Sequence, residues 1–380
     1  MKSPIGLVRV RALSIFLLLV FIGSASAAYA GNTLSANDLT EGGHLETDTG
    51  AHFLAEWWYL NGHLQLEAQD GEKRSVGWFA VMGHQESPLI DLGSGQLSHI
   101  LKFSALYDED GTNHFVYNDT YIPRAEIYNT IGIHKPYLMI HFPQSSSVFF
   151  GAAATGYTVN DQLNDIDFTM FFKPDVEKTL DQSEAPLNFT TYEYANGNIG
   201  GTITLDGKQY FVKKGNAYFD HMIPTTFEDV PWPVKMNGWS WAEVTTKRYQ
   251  AVIYAIRSLA DGFDAYSYKH LTIIDRDTGE VKDEFDGNEV QIIEGDDYYE
   301  PAFGVSRPQR VTYKAGDYEV SVYADAVVDF DRTSPLDLSG FVDFMAYQRH
   351  GASIKRNYRT YRGNAFYEYL VSDAGAAGQH

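Results

Sequence analysis

Glu56-Trp57-Trp58-Tyr59-Leu60-Asn61-Gly62-His63-Leu64-Gln65-Leu66, a turn at Gln69-Asp70-Gly71-Glu72, and the run Ser75 to Met82 form the stretch from which the architecture can be read. Two runs rich in apolar and aromatic residues flank an Asp-Gly pair, a strong signal for a β-hairpin. On a strand, successive side chains point to opposite faces. Glu56, Trp58 and Leu60 therefore share one face, and Trp57, Tyr59 and Asn61 the other. The texture recurs along the chain. Thr202–Leu205, Asp206-Gly207 and Gln209–Val212 repeat it, as do Val311–Tyr313, Ala315-Gly316-Asp317 and Tyr318–Tyr323. His270–Asp275 with Thr278-Gly279 reads as another hairpin, and Gln250–Arg257 as an apolar strand. Only Pro174–Ala185 leaves a short helix or a loop open. Many short strands at this spacing predict an all-β protein of barrels or sandwiches.

Three prolines between Pro224 and Pro233 suggest a boundary, giving β domains at 43–223 and 224–372 and a loose Ala/Gly-rich tail at 373–380. The first 30 residues read as a secretory signal peptide. Lys2, Arg9 and Arg11 precede an uncharged apolar run from Ala12 to Ile22, and Ala28-Tyr29-Ala30 is a small-residue cleavage pattern. That run is shorter than the roughly 20 residues a bilayer span needs. The expectation is an exported, periplasmic or secreted protein with no integral membrane segment once the signal is removed.

Composition narrows the function. The chain has no cysteine, so disulfides, thiolate metal sites and cysteine nucleophiles are excluded. Loss of three positive charges with the signal takes the formal net charge from −21 to −24, which disfavours nucleic acid and anionic lipid as partners. The 6 Trp, 26 Tyr and 23 Phe supply ring surface suited to a lined hollow, and so to an apolar small-molecule ligand. No G-x-S-x-G elbow, H-E-x-x-H pair, P-loop or dinucleotide loop occurs. The sequence supports neither a metal site nor a cofactor.

Three clusters carry chemistry: Glu56 to Leu64; Gly215-Asn216-Ala217-Tyr218-Phe219-Asp220-His221; and Asn237-Gly238-Trp239-Ser240-Trp241. Tyr218 and Asp220 share a strand face, as do Trp239 and Trp241. Taken together, the three segments resemble the lipocalin-like family of carotenoid 1,2-hydratase and the AttH-type proteins described as secreted hydrolases. The Glu-Trp-Trp-Tyr strand ending Gly-His-Leu, the Tyr-x-Asp-His centre and the Gly-Trp-x-Trp strand are all present, across roughly residues 44–370. The family's closing aromatic-Glu-Gly-Ala segment is matched only by Tyr361-Arg362-Gly363-Asn364-Ala365. A role for its Glu is therefore lost here or moved to Glu368.

The resemblance implies two lipocalin-like β-barrel or sandwich domains and an apolar, isoprenoid- or polyketide-like substrate. It also implies hydratase-type lyase chemistry that adds water to a C=C bond. Alkene hydration needs a strong proton donor, and a carboxylic acid kept neutral by apolar walls is one. Asp220 is the candidate acid, with Tyr218 beside it and His221 to orient it or relay a proton. Glu56 is expected as a second carboxyl in the same pocket, acting as base on the incoming water. Trp57, Trp58, Tyr59, Trp239 and Trp241 are the candidate ligand-binding rings. A non-catalytic carrier of a lipid or pigment, and a hydrolase or cyclase on the same scaffold, remain alternative readings. Protein recovered from the exported fraction is expected to begin at Gly31. N-terminal sequencing reads this directly, and a chain that keeps Met1 would overturn the export reading.

Overall fold

The computed structural model describes residues 40–44, 55–85, 97–108, 113–133, 135–142, 145–163, 166–176, 178–182, 189–224, 236–258, 265–301, 305–323, 327–330 and 341–372. The segment expected as a signal peptide (1–30) and the tail 373–380 lie outside them. Among the described residues the chain is almost entirely antiparallel strand. The first sheet contains β1 (Ala55–Ala68), β2 (Lys73–Gln85), β3 (Leu97–Tyr107), β4 (Asn113–Pro123), β5 (Leu138–His141), β6 (Val148–Ala152), β7 (Gly156–Leu163), β8 (Ile166–Pro174), β9 (Thr179–Gln182), β10 (Phe189–Leu205) and β11 (Lys208–Pro224). The second contains β12 (Met236–Thr246), β13 (Tyr249–Ser258), β14 (Tyr268–Asp275), β15 (Glu280–Asp286), β16 (Gln291–Glu300), β17 (Val305–Ala315), β18 (Tyr318–Tyr323), β19 (Val327–Phe330), β20 (Phe341–Arg356) and β21 (Arg359–Ser372). Where the sequence left a helix or a loop open over Pro174–Ala185, Thr179–Gln182 forms β9 and pairs with β10.

The first sheet runs β4-β3-β2-β1-β11-β10-β8-β7-β6-β5, and the second runs β15-β14-β13-β12-β21-β20-β18-β17-β16. Each sheet curls on itself. In the first, Lys102 of β3 reaches Asp161 of β7, and its Nζ also donates to Ser147 Oγ at 2.5 Å. In the second, Tyr318 Oη of β18 donates to Asp283 of β15 at 2.6 Å, and Arg257 of β13 donates to Glu294 of β16 at 2.9 Å. The result is two lipocalin-like β domains, the fold class expected from the strand pattern.

Alternation divides the apolar residues into three cores. Trp58, Leu60, Trp78, Tyr157 and Phe219 fill the first domain. Ala251, Ile253, Val311, Tyr313 and Tyr367 fill the second. A third core draws Tyr59, Phe79, Val81, Tyr107, Tyr218 and Met222 from the first domain, and Trp241, Val252, Tyr254, Ile256, Phe366 and Leu370 from the second. β13 contributes to both the second and third cores, which explains a run buried at every position instead of at alternate ones. The domains approach closely where Gly77 of β2 meets β20. A Cβ at Gly77 would lie 2.5 Å from the Tyr347 ring. The buried pair His63 and Glu243, 2.8 Å apart, also links the domains.

Lys102 and Asp161 are both nearly inaccessible, with side chains 2% and 1% exposed. Removing one partner of such a pair leaves an uncompensated buried charge. Lys102→Met is expected to destabilise the fold by about 3–5 kcal/mol, and the double replacement Lys102→Met/Asp161→Leu to recover most of that loss. Urea unfolding of the three proteins checks this.

Candidate functional site

The site is built on one strand pair. In the β1–β11 ladder, Trp58 lies opposite His221 and Tyr59 opposite Asp220; in β10–β11, Glu193 lies opposite Asp220. Residues directly opposite one another in an antiparallel pair share a face. Tyr59, Tyr218, Asp220 and Glu193 therefore point towards the second domain, while Glu56, Trp58 and His221 point into the first.

On the interdomain face, a buried network of acids and tyrosines crosses between the domains. Tyr218 Oη is 2.8 Å from Asp220 Oδ2, 2.9 Å from Glu193 Oε2 and 2.6 Å from Tyr254 Oη of the second domain. Tyr254 Oη in turn donates to Asp220 Oδ2 at 2.9 Å. Thr179 Oγ1 of β9 donates to the other oxygen of Glu193 at 3.1 Å. Asp220 Oδ1 is buried and has no hydrogen-bond partner among the described residues. Burial raises the Asp220 carboxyl from 3.8 to about 7, and the two tyrosine hydroxyls pull it back only in part.

Aromatic rings enclose this acid. Trp241 contacts Tyr59 and Tyr218, with centroids 5.3 Å and 5.4 Å apart, and Trp57 meets Trp239 at 6.4 Å. Trp57 and Trp239 are partly exposed and form the outer edge of the cluster. Glu368 lies opposite Trp241 in the β12–β21 ladder. After burial, it is the largest influence raising the Tyr59 hydroxyl well above its ordinary range. Glu368, offered by the sequence only as a displaced counterpart of the family's closing Glu, thus stands near Tyr59, one of the expected ligand-binding rings.

The opposite face holds a second, separate polar cluster. Glu56 Oε1 is 2.6 Å from His44 Nδ1 and 2.5 Å from His221 Nε2. Glu56 Oε2 is 2.9 Å from His84 Nε2 and accepts the His44 backbone N–H at 2.6 Å. Trp58 stacks on the His221 ring at 4.5 Å. All four polar residues are buried. Burial alone would raise Glu56, but His44 and His221 outweigh it and hold the carboxyl well below its usual range. His221 is pushed down to about 4 by burial, against the pull of Glu56. Imidazole and carboxylate are also the donors of transition-metal sites. Donor atoms of His44, Glu56 and His221, one from each, lie within 4.8 Å of one another, close enough to share an ion.

The structure therefore corrects three of the expected placements. Asp220, Tyr218, Trp57, Tyr59, Trp239 and Trp241 come together between the domains. Glu56, Trp58 and His221 do not join them, because strand alternation turns them to the other side of the same sheet. Glu56 is not a base in the Asp220 pocket, and His221 does not touch Asp220's carboxyl. Sequence reasoning missed Glu193, Tyr254, His44 and His84. Counting outward from the hairpin turns would have paired His84 with Glu56 and Glu193 with Asp220. Nothing local marks His44 or Tyr254.

The fold and this placement define a two-domain lipocalin-like scaffold with a buried acid at the domain junction. No family model and no curated protein matches the sequence. Solved structures do match the fold. An AttH candidate from Nitrosomonas europaea aligns with a TM-score of 0.64 at 15% identity, covering 90% of this chain and 98% of that one. Kievitone hydratase from Nectria haematococca aligns at 0.58 and 10% identity, covering 92% and 95%. CghA aligns at 0.54 and 10% identity, covering 92% and 96%.

An acid whose folded value exceeds its unfolded one keeps its proton in the native state while the unfolded chain loses it, so stability falls as pH rises between the two values. Asp220 should make the fold less stable from about pH 4 to about pH 7. The accumulated loss is roughly 4 kcal/mol, at about 1.4 kcal/mol per unit. Asp220→Asn is expected to match the wild type near pH 4 and to exceed it in stability near pH 8. Thermal unfolding across this range measures the difference.

Proposed function

We propose that this chain is a hydratase-type lyase that adds water to a C=C bond of an apolar, isoprenoid- or polyketide-like molecule, with Asp220 as the proton donor. The supporting observation is the division of labour between the two oxygens of Asp220. Oδ2 is fixed by Tyr218 and Tyr254, while Oδ1 has no partner among the described residues and the carboxyl holds its proton up to about pH 7. A neutral acid with one oxygen uncommitted is suited to protonating carbon. The carbocation that forms would be stabilised by ring faces, about 2 kcal/mol or more for a desolvated pair. Trp241, Tyr59, Trp57 and Trp239 are the rings in reach of this face.

The chemistry described needs no cofactor, and export would place it outside the cytoplasm. The likeness to kievitone hydratase supports a hydratase scaffold, though at 10% identity it speaks for the fold alone. A passive carrier would gain nothing from an acid whose retention costs stability, and the sequence lacks the serine-nucleophile elbow of ordinary esterases.

Asp220→Asn preserves the shape of the group and removes its proton. It is expected to abolish hydration, assayed by mass spectrometry of oxygen-18 incorporation from labelled water across a panel of isoprenoid and polyketide alkenes. Binding, read from quenching of the clustered tryptophans, should persist. Unchanged turnover would refute the role of Asp220.

A further inference from the structure

The geometry points to Glu193 as the proton store for Asp220: we propose that a proton passes between the Glu193 carboxyl and Asp220 Oδ2 through the Tyr218 hydroxyl. The inference rests on the reading of Asp220 as donor and extends it to how the donor is reloaded.

The argument is a count of protons. Four short oxygen–oxygen contacts tie the network together: Tyr218–Tyr254 at 2.6 Å, Tyr218–Asp220 at 2.8 Å, Tyr218–Glu193 at 2.9 Å and Tyr254–Asp220 at 2.9 Å. Each such contact is attractive only with a proton between its oxygens. The two tyrosine hydroxyls supply two. The remaining protons must come from the carboxyls, so the network is fully bonded only when the acids carry protons as well. Tyr218 touches both acids and has one proton to give. Donation to Glu193 therefore frees its oxygen to accept from Asp220, and the reverse. The contacts are buried, so bulk water does not compete for them.

Other titratable groups on this face among the described residues include Tyr59 of β1, Tyr107 of β3, Tyr268 of β14, Tyr347 of β20, Glu368 of β21, and the pairs His63–Glu243 and His270–Asp286. Asp220's own shift comes from burial and the two hydroxyls.

In the cycle, the Asp220 Oδ1–H bond breaks and a C–H bond forms. Tyr218 then hands its hydroxyl proton to Asp220 Oδ2 and takes the one on the Glu193 carboxyl, so the negative charge moves to Glu193. Water bonds to the cationic carbon and its surplus proton passes to Asp220 Oδ1, while the proton on Oδ2 returns through Tyr218 to Glu193. Alkene and water become alcohol, and both carboxyls return to their starting states. Glu193 acts through Tyr218 and is a positioning residue, not one that meets the substrate.

The test uses the full-length protein without substrate. The infrared carbonyl band of a protonated buried carboxyl, assigned to Asp220 by its loss in Asp220→Asn, is titrated with pH. Wild type, Glu193→Gln, Tyr218→Phe and the double variant are compared. Removing a coupled carboxylate makes Asp220 easier to ionise, so Glu193→Gln should lower its midpoint by about 1 unit. In the Tyr218→Phe background the same substitution should have less than half that effect. An unmoved midpoint, or an equal shift without the Tyr218 hydroxyl, overturns the relay while leaving Asp220 as donor. A wild type with no Asp220 band at any pH overturns both.

Discussion

Everything at this site follows from the pairing of β1 with β11. Because a sheet presents alternate residues to opposite sides, one pair of neighbouring strands carries two acids, back to back, into two different environments. Tyr59 opposite Asp220 faces the second domain, and Trp58 opposite His221 faces the interior of the first. A slip of one residue in this ladder would exchange the two sets and present the imidazole cage to the other domain. The unbroken pairing of β1 with β2, and its pairing with β11 up to a register shift at Gln65/Leu66, hold that register.

The two acids show how surroundings set protonation. Glu56 is fully buried and yet ionised, because three imidazoles and a backbone N–H converge on it. Asp220 is as deeply buried but meets only two hydroxyls, and burial prevails. Pairs of carboxyls driven apart in this way commonly mark acid chemistry. Here the ionised member stands on the opposite face of the sheet from Asp220. It fastens residues 40–44 to the first domain, where Gly42 and Gly43 also bond to the backbone of Lys135 and Gly132.

The strand content, the hairpins and most of the ring cluster were legible in the sequence, because period-two patterning and Asp-Gly turns act locally. The alternation in Glu56-Trp57-Trp58-Tyr59 already separated Glu56 from Tyr59. What it could not show was which of those faces Asp220 shares, since that depends on how residues more than 150 positions apart are paired. Glu193 was hidden for a different reason. Its pairing with Asp220 follows by counting from the Asp206-Gly207 turn, but Glu193 lies in Tyr192-Glu193-Tyr194, where no motif marks it as a partner of an acid. Tyr254 belongs to the other domain and reaches Asp220 only through tertiary packing. His44 precedes the first strand and is placed by Glu56, not by any pattern of its own.

The position of Tyr254 has a consequence for how the molecule comes by its chemistry. Neither domain owns the site: one contributes the carboxyl, and the other contributes a hydroxyl and the indole that keep water from it. The unusual acidity is thus a property of the assembled pair. It comes into being when the two halves dock, and a change in the seam between them would be felt first as a change in where a single proton rests.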